Sequence, residues 1–256
     1  MAAFEFHGAF LLKKTVSHLK KLAEPGYTAT FYFSPKGISL LASSQDDQVI
    51  GALRFYLGSL SRFICNHPHS LGVNLDQLLT VLDLADDEDS VHIGASEELC
   101  QFIFRIRNLE GREIWRSVDF IPPNPMHVVM EQIRHLYAVK TAINTGIFIA
   151  TLHRFFHYGV QDKVAIIVRN SEVELTTGAA TEHLFKELNQ CLIKGFKRDD
   201  DGSYFAEFNF ECLISLINES IYMASYVWIY PPYCDGSPHV LQCPIYHIGT
   251  ITYYFQ

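Results

Sequence analysis

Cys65, His67 and His69 fall together in CNHPH, and His153 and His157 stand one helical turn apart in HRFFH. Thiolate and imidazole groups at such spacings are zinc ligands, so a zinc-dependent hydrolase built on Cys65, His67 and His69 is one reading. Against it, Pro68 interrupts the run, no second ligand pair lies nearby, and no glutamate follows His153 as a zinc protease requires. Two acidic runs, DDED at 86–89 and DDDG at 199–202, lack the alternating oxygen ligands of a calcium loop and read as hairpin tips. No glycine-rich phosphate loop, nucleophile elbow or pair of catalytic carboxylates can be picked out. The expectation is therefore no enzyme, no metal and no cofactor. The remaining chemistry is cationic: Lys13, Lys14, Lys20 and Lys21 crowd a single short stretch. A solvated helix face is the plainer reading of such a cluster, and a polyanion-binding surface the sharper one.

The elements that position these groups must come from a chain of 256 residues, 48% hydrophobic and 19% charged, enough for one large core or two ordinary ones. The net charge of −8 does not by itself point to nucleic acid; only the placement of the 20 basic residues could. MAAFEFHGAFLLKK lacks the basic start and long apolar run of a secretory signal, and IYMASYVWIYPPY from Ile221 is too short and proline-terminated to span a bilayer. An intracellular protein with no membrane partner is expected. Cys65, Cys100, Cys191, Cys212, Cys234 and Cys243 are scattered without a C-x-x-C pair and read as reduced thiols. Asn218-Glu219-Ser220 fits a glycosylation acceptor but is discounted in such a protein.

Four segments carry helical periodicity, at intervals of roughly 64 to 72 residues. Near 9–22 the apolar face is Leu12, Val16, Leu19 and Ala23; near 73–84 it is Leu75, Leu78, Leu79 and Leu82, with Asn74 as a cap. Near 145–158 it is Phe148, Leu152, Phe155 and Phe156, and near 209–219 it is Phe210, Leu213, Ile214 and Ile217. Between them lie strand-like runs such as YTATFYFS, QFIFRIR, VAIIVRN and TITYYF. In GISLLASSQDDQVIGALRF, two half-buried strands flank a polar corner, and NSEVELTTGAATEHLF from Asn170 repeats the phrase in the second half. The pattern predicts an α+β protein made by internal duplication. Its halves would join through IPPNPMHVVMEQIRHLY, residues 121–137, whose prolines bar a regular element at the start.

In LLKKTVSHLKKL (11–22), GISLLASSQDDQVIGALRF (37–55), LGVNLDQLLTVLDLADDEDSVHI (71–93), FFHYGVQDKVAIIV (155–168) and IGTITYYF (248–255), taken in order, the chain resembles the proliferating cell nuclear antigen family of DNA sliding clamps. The resemblance implies an α+β DNA-clamp fold of two topologically similar domains, each with two helices on curved antiparallel sheets. They would occupy 1–120 and 137–256, with an interdomain connector at 121–136. It also implies a homotrimeric ring around double-stranded DNA, a clamp loader, and DNA polymerase and other proteins docked through short peptide motifs. Localisation would be nuclear in a eukaryote and cytoplasmic otherwise. A diverged subunit of a checkpoint-type heterotrimeric clamp, or a viral processivity factor, is the alternative.

Phosphates attract without carrying sequence, so a sliding ring needs a basic inner wall. The resemblance places Lys13, Lys14, Lys20, Lys21, His153, Arg154 and His157 there. The second and fourth helices instead show Asp76, Thr80 and Asp83, and Glu211, Ser215 and Glu219, where the family is usually basic. Ring closure would pair edge strands at 112–120 and 172–181, through Glu113, Trp115, Ser117, Val118, Glu174, Thr176 and Gly178. The family's peptide pocket maps to Ser43, Gln48, Ile50, Ile133, His135, Leu136, Pro238, Tyr254 and Phe255. Ser43, Gln48 and His135 replace apolar residues, which predicts weaker docking. The family's modifier-accepting lysine falls at Asn170.

Overall fold

The computed structural model describes residues 2–132, 137, 139–159, 163–196, 202–217, 225–232 and 236–256. The chain divides into two compact units, Met1–Gln132 with His247–Thr250, and Ile133–Tyr246 with Ile251–Gln256.

In the first unit the elements run β1 (Ala2–His7), α1 (Ala9–Leu22), β2 (Thr28–Ser34), β3 (Gly37–Ser43), β4 (Val49–Phe55), β5 (Leu60–Cys65), β6 (His69–Asn74), α2 (Leu75–Leu82), β7 (Ser90–Ser96), β8 (Gln101–Arg107), β9 (Glu113–Asp119) and α3 (Pro125–Gln132). Neighbouring strands are ordered β5-β1-β7-β8-β9 and β4-β3-β2-β6. The second unit runs β10 (Lys140–Asn144), α4 (Thr145–His157), β11 (Lys163–Val168), β12 (Glu172–Thr176), β13 (Thr181–Phe185), β14 (Cys191–Lys194), β15 (Tyr204–Asn209), α5 (Phe210–Ile217), β16 (Tyr226–Tyr230), β17 (His239–Ile245) and β18 (Gly249–Phe255). Its orders are β14-β10-β16-β17-β18 and β13-β12-β11-β15. Each first-unit strand thus has a second-unit counterpart at the same place in chain and sheet, β1 with β10 through β9 with β18, and α1 and α2 answer to α4 and α5. The two orders coincide throughout. The duplication inferred from the repeated phrase is present in the topology.

The first core is aromatic. Phe4 of β1 meets Phe31 and Phe33 of β2 and Phe55 of β4 at ring distances of 6.0, 6.2 and 6.1 Å. These contacts bring the β1 and β4 sheets face to face. The expectation of half-buried strands at β3 and β4 is corrected: both are buried on both faces over nearly their whole length. One face meets the aromatic cluster, and α1 lies against the other. In the second unit Phe208 and Phe255 meet edge-on at 4.9 Å.

Two further expectations change. The stretch read as a linker contains α3, which begins at Pro125, where a fixed φ and a missing N–H suit the first helical position. Asn124 Oδ1 accepts from Met126 N at 3.0 Å, and Asn124 N donates to Thr30 Oγ1 at 3.0 Å. The acidic run 86–89 is not a hairpin tip but the turn from α2 into β7. There the buried Asp89 carboxylate accepts from Asp86 N at 2.8 Å and closes the turn. In the second run, Asp199, Asp200 and Asp201 lie outside the described residues, as do Asn218, Glu219, Ser220 and Cys234.

Gly72 of β6 fixes how the chain leaves β9. Its N–H and C=O bond the backbone of Ile121, both at 3.1 Å. A Cβ on Gly72 would stand 2.4 Å from Ile121 O, so only glycine admits this approach.

Candidate nucleic-acid interface and edge strands

Helix α1 turns its apolar stripe inward because Leu12, Val16 and Leu19 recur at helical spacing over β3 and β4. Its lysines therefore face outward, and Lys20 and Lys21 in the last turn also complement the helix dipole. Helix α2 packs beside α1 and begins at Asn74, whose side chain accepts from Asp76 N at 2.9 Å and Gln77 N at 3.0 Å. The expected cap is present. Between the helices lies an open groove of about 620 Å³ whose walls include Lys13, Lys14, Lys20, Lys21, Asp76 and Asp83. All four sequence-assigned lysines of α1 thus share one surface, along with the carboxylates noted in the second helix. Lys20 reaches Asp76 Oδ1 at 2.5 Å, and this hydrogen bond raises the lysine's pKa above its ordinary value. Lys13 donates to Ala85 O at 2.8 Å and lies 3.4 Å from Asp87 Oδ1, and Lys14 stands 4.4 Å over the Phe10 ring. Phe10 and Tyr27 were not picked out in the sequence, and Asp87 was read only as part of the acidic run 86–89. Phe10 carries the one available signal, lying off the apolar stripe of α1.

Helix α4, capped by Asn144 through Gly146 N at 3.0 Å, places His153, Arg154 and His157 outward as expected. Arg154 is not available as a bare cation: its Nε donates to Glu182 Oε1 at 2.8 Å and its Nη2 to Thr151 Oγ1 at 3.0 Å. Phe156, read as part of the buried stripe, is 62% exposed, and Tyr158 is 61% exposed. A single helical face cannot turn both Phe155 and Phe156 inward, and Phe155 is the buried one. In α5 Glu211 is exposed; Glu219 lies outside the described residues.

Strand β9 is an edge of its sheet, as read from 112–120. On it Val118 is buried, Ser117 and Glu113 are exposed, and Trp115 is 55% exposed with the Arg105 guanidinium 5.8 Å from its ring. Arg107 holds the Glu113 carboxyl below its usual pKa through a hydrogen bond. The second expected edge, 172–181, needs correction. Strand β12, with Glu174 and Thr176, is bonded on both sides, to β11 and to β13, and has no open ladder. The edge is the next strand, β13 (Thr181–Phe185), and Gly178 belongs to the turn before it, with open space around it.

Of the expected peptide pocket, Ile133, His135 and Leu136 lie outside the described residues. Ile50, Tyr254 and Phe255 are buried, as is Pro238, whose carbonyl accepts from Tyr137 Oη at 2.9 Å. Ser43 is half-buried at the end of β3. Gln48 is exposed in the polar corner, where Asp46 Oδ1 accepts from Ser44 Oγ at 2.7 Å and Gln48 N at 3.2 Å.

Cys65, His67 and His69 do not converge as ligands. Cys65 Sγ donates to His67 O at 3.2 Å, and the His69 ring stacks on Phe33 at 5.0 Å. Among the described residues, the three ligand-bearing side chains that do approach within 4.8 Å are Glu172, Glu174 and His183. Arg169 already bridges both carboxylates, at 3.0 and 2.7 Å, supplying the positive charge a metal would. Among the described residues, no helix is long and apolar enough to cross a membrane.

Compared with known families, residues 1–119 match the model described as proliferating cell nuclear antigen, N-terminal domain.

Proposed function

Because the chain belongs to the proliferating cell nuclear antigen family of sliding clamps, we propose that it acts as a processivity factor in DNA replication and repair. In this reading three chains close a ring around double-stranded DNA and tether polymerase and other DNA enzymes. The family is one of non-enzymatic clamps, and the chain is read likewise. The observation that carries the proposal is the outward face of α1, where Lys13, Lys14, Lys20 and Lys21 line one groove. Such a face attracts phosphate without reading bases, as sliding requires. Ring closure through β9 of one chain and β13 of the next would satisfy two open ladders at once. Partners would dock by short peptides near Ser43, Gln48 and the connector, after loading by a clamp loader, in the nucleus of a eukaryote or the cytoplasm otherwise.

A second reading, a subunit of a heterotrimeric clamp, is favoured by the acidic face of α2 and the exposed aromatics of α4. Light scattering at micromolar concentration separates the two. The homotrimer predicts the mass of three chains, and a single-chain mass overturns it in favour of the heteromer.

A further inference from the structure

The lysines that would meet DNA already have partners inside the first unit, and the partners differ in kind. Lys20 Nζ lies 2.5 Å from Asp76 Oδ1 and 5.1 Å from the Tyr27 ring centroid. Lys13 Nζ is held by a neutral acceptor, Ala85 O at 2.8 Å, with the Asp87 carboxylate farther off at 3.4 Å. Lys14 meets only the face of Phe10 among the contacts described for it. Of the two ion pairs described on the α1 face, Lys20–Asp76 is the shorter, and it joins two helices rather than two turns of one. Asp76 is also held in place: its own N–H donates to the Asn74 side chain at 2.9 Å, which fixes the first turn of α2 beneath Lys20. The pair is open to solvent, with side-chain exposures of 30% for Lys20 and 60% for Asp76. A phosphate oxygen reaching the groove can thus contend for the same ammonium that the carboxylate holds.

We propose that Asp76 is an internal competitor for nucleic-acid phosphate at Lys20, and so sets how many of the α1 cations a duplex can use. The inference rests on the DNA-clamp reading given above. An ammonium already neutralised by a carboxylate must exchange partners before it meets DNA. Its contact then releases less counterion than that of a free lysine. The exchange leaves Asp76 unpaired beside a phosphate, a like-charge arrangement that opposes it further. Asp87 is a weaker competitor, since removing it leaves Lys13 on the Ala85 carbonyl.

The test is fluorescence anisotropy of the full-length chain with a labelled linear duplex over a salt series. The proteins compared are the unaltered chain, Asp76→Asn, Lys20→Met and the double variant, with Asp76→Ser replacing Asp76→Asn should the latter fail to fold. Asp76→Asn is expected to steepen the slope of log affinity against log salt by up to about 0.9, the value of one phosphate contact. Lys20→Met is expected to lower affinity more when combined with Asp76→Asn than in the unaltered chain, the non-additivity that marks a direct pair. Asp87→Asn should give a smaller change than Asp76→Asn. An equal gain from Asp76→Asn with or without Lys20 would mean only long-range repulsion and overturn the competitor role, as would an unchanged slope. Absence of binding by all four proteins at the lowest salt would overturn the DNA-clamp reading itself, and this inference with it.

Discussion

Aligned from their first residues, α1 and α4 bury the same positions but one, the buried His18 falling opposite the exposed Arg154, and they expose different chemistry. Leu12, Thr15, Val16 and Leu19 correspond to Phe148, Thr151, Leu152 and Phe155, and all eight are buried. Outward, Ser17, Lys20 and Lys21 correspond to His153, Phe156 and His157. The inward positions are constrained because each helix must cover a sheet of the same topology at a period of 3.6 residues. No such constraint acts on the outward positions. After duplication they were free to become basic in one unit and aromatic, with a paired arginine, in the other. The lesson is that topology is common to the two units while the outward lysines of α1 have no counterpart on α4.

The largest expected effects test the shared half of that comparison. Leu19→Ala should cost about 2–5 kcal/mol and Phe155→Ala about 3–5 kcal/mol, since each opens a cavity under its helix. Chemical denaturation is the measure, and a loss below about 0.5 kcal/mol, the size usual for surface changes, would show that the two positions are not equivalent core sites.

The first unit carries a buried histidine that makes it sensitive to acid. His127 of α3 is 1% exposed, with Nδ1 3.0 Å from Thr30 Oγ1, and burial pulls its pKa down to about 4 against the opposing charge of Asp47. The neutral imidazole is the form the fold accepts, whereas the unfolded chain binds a proton near pH 6.5. Stability from this residue is therefore complete above about pH 6.5 and lost progressively as pH falls toward 4. The loss amounts to about 3 kcal/mol, because each tenfold weakening of proton binding is worth roughly 1.4 kcal/mol. His127→Gln should flatten that limb of the stability profile, and an unchanged limb would assign the acid sensitivity elsewhere.

The exposed half of the comparison predicts unequal effects on DNA. Replacing Lys13, Lys14, Lys20 and Lys21 by Ala should lower the salt slope by up to about 0.9 for each lysine that meets a phosphate. Replacing His153, Arg154 and His157 should lower it less, since Arg154 is already bound to Glu182. Equal losses would put the two helices on the same footing and break the contrast. The smallest effect concerns stability: Arg154→Ala should change it by no more than about 1 kcal/mol, because its ion pair is at the surface.

Periodicity in the sequence located α1, α2, α4 and α5, and the repeated phrase around Asn170 disclosed the duplication, because burial on a sheet imposes a regular spacing on apolar residues. Edge position was not legible at β12: alternation reports which face a residue takes, not how many neighbours a strand has. The exposure of Phe156 was hidden by its adjacency to Phe155. The partners of the lysines were out of reach as well, for Lys20 and Asp76 are 56 residues apart and meet only once α1 and α2 pack together. The turn at 86–89 escaped because its acidic residues look solvated, while one of them, Asp89, is buried and bonds the backbone.

The most direct test of the central claim is retention on DNA. The protein is threaded onto a linear duplex, both ends are then blocked with bulky protein, and dissociation is followed after a salt step that abolishes simple electrostatic binding. A ring that encircles duplex is expected to remain until one end is cut free and then to leave within the same salt. Dissociation at the same rate from blocked and open DNA would contradict the account.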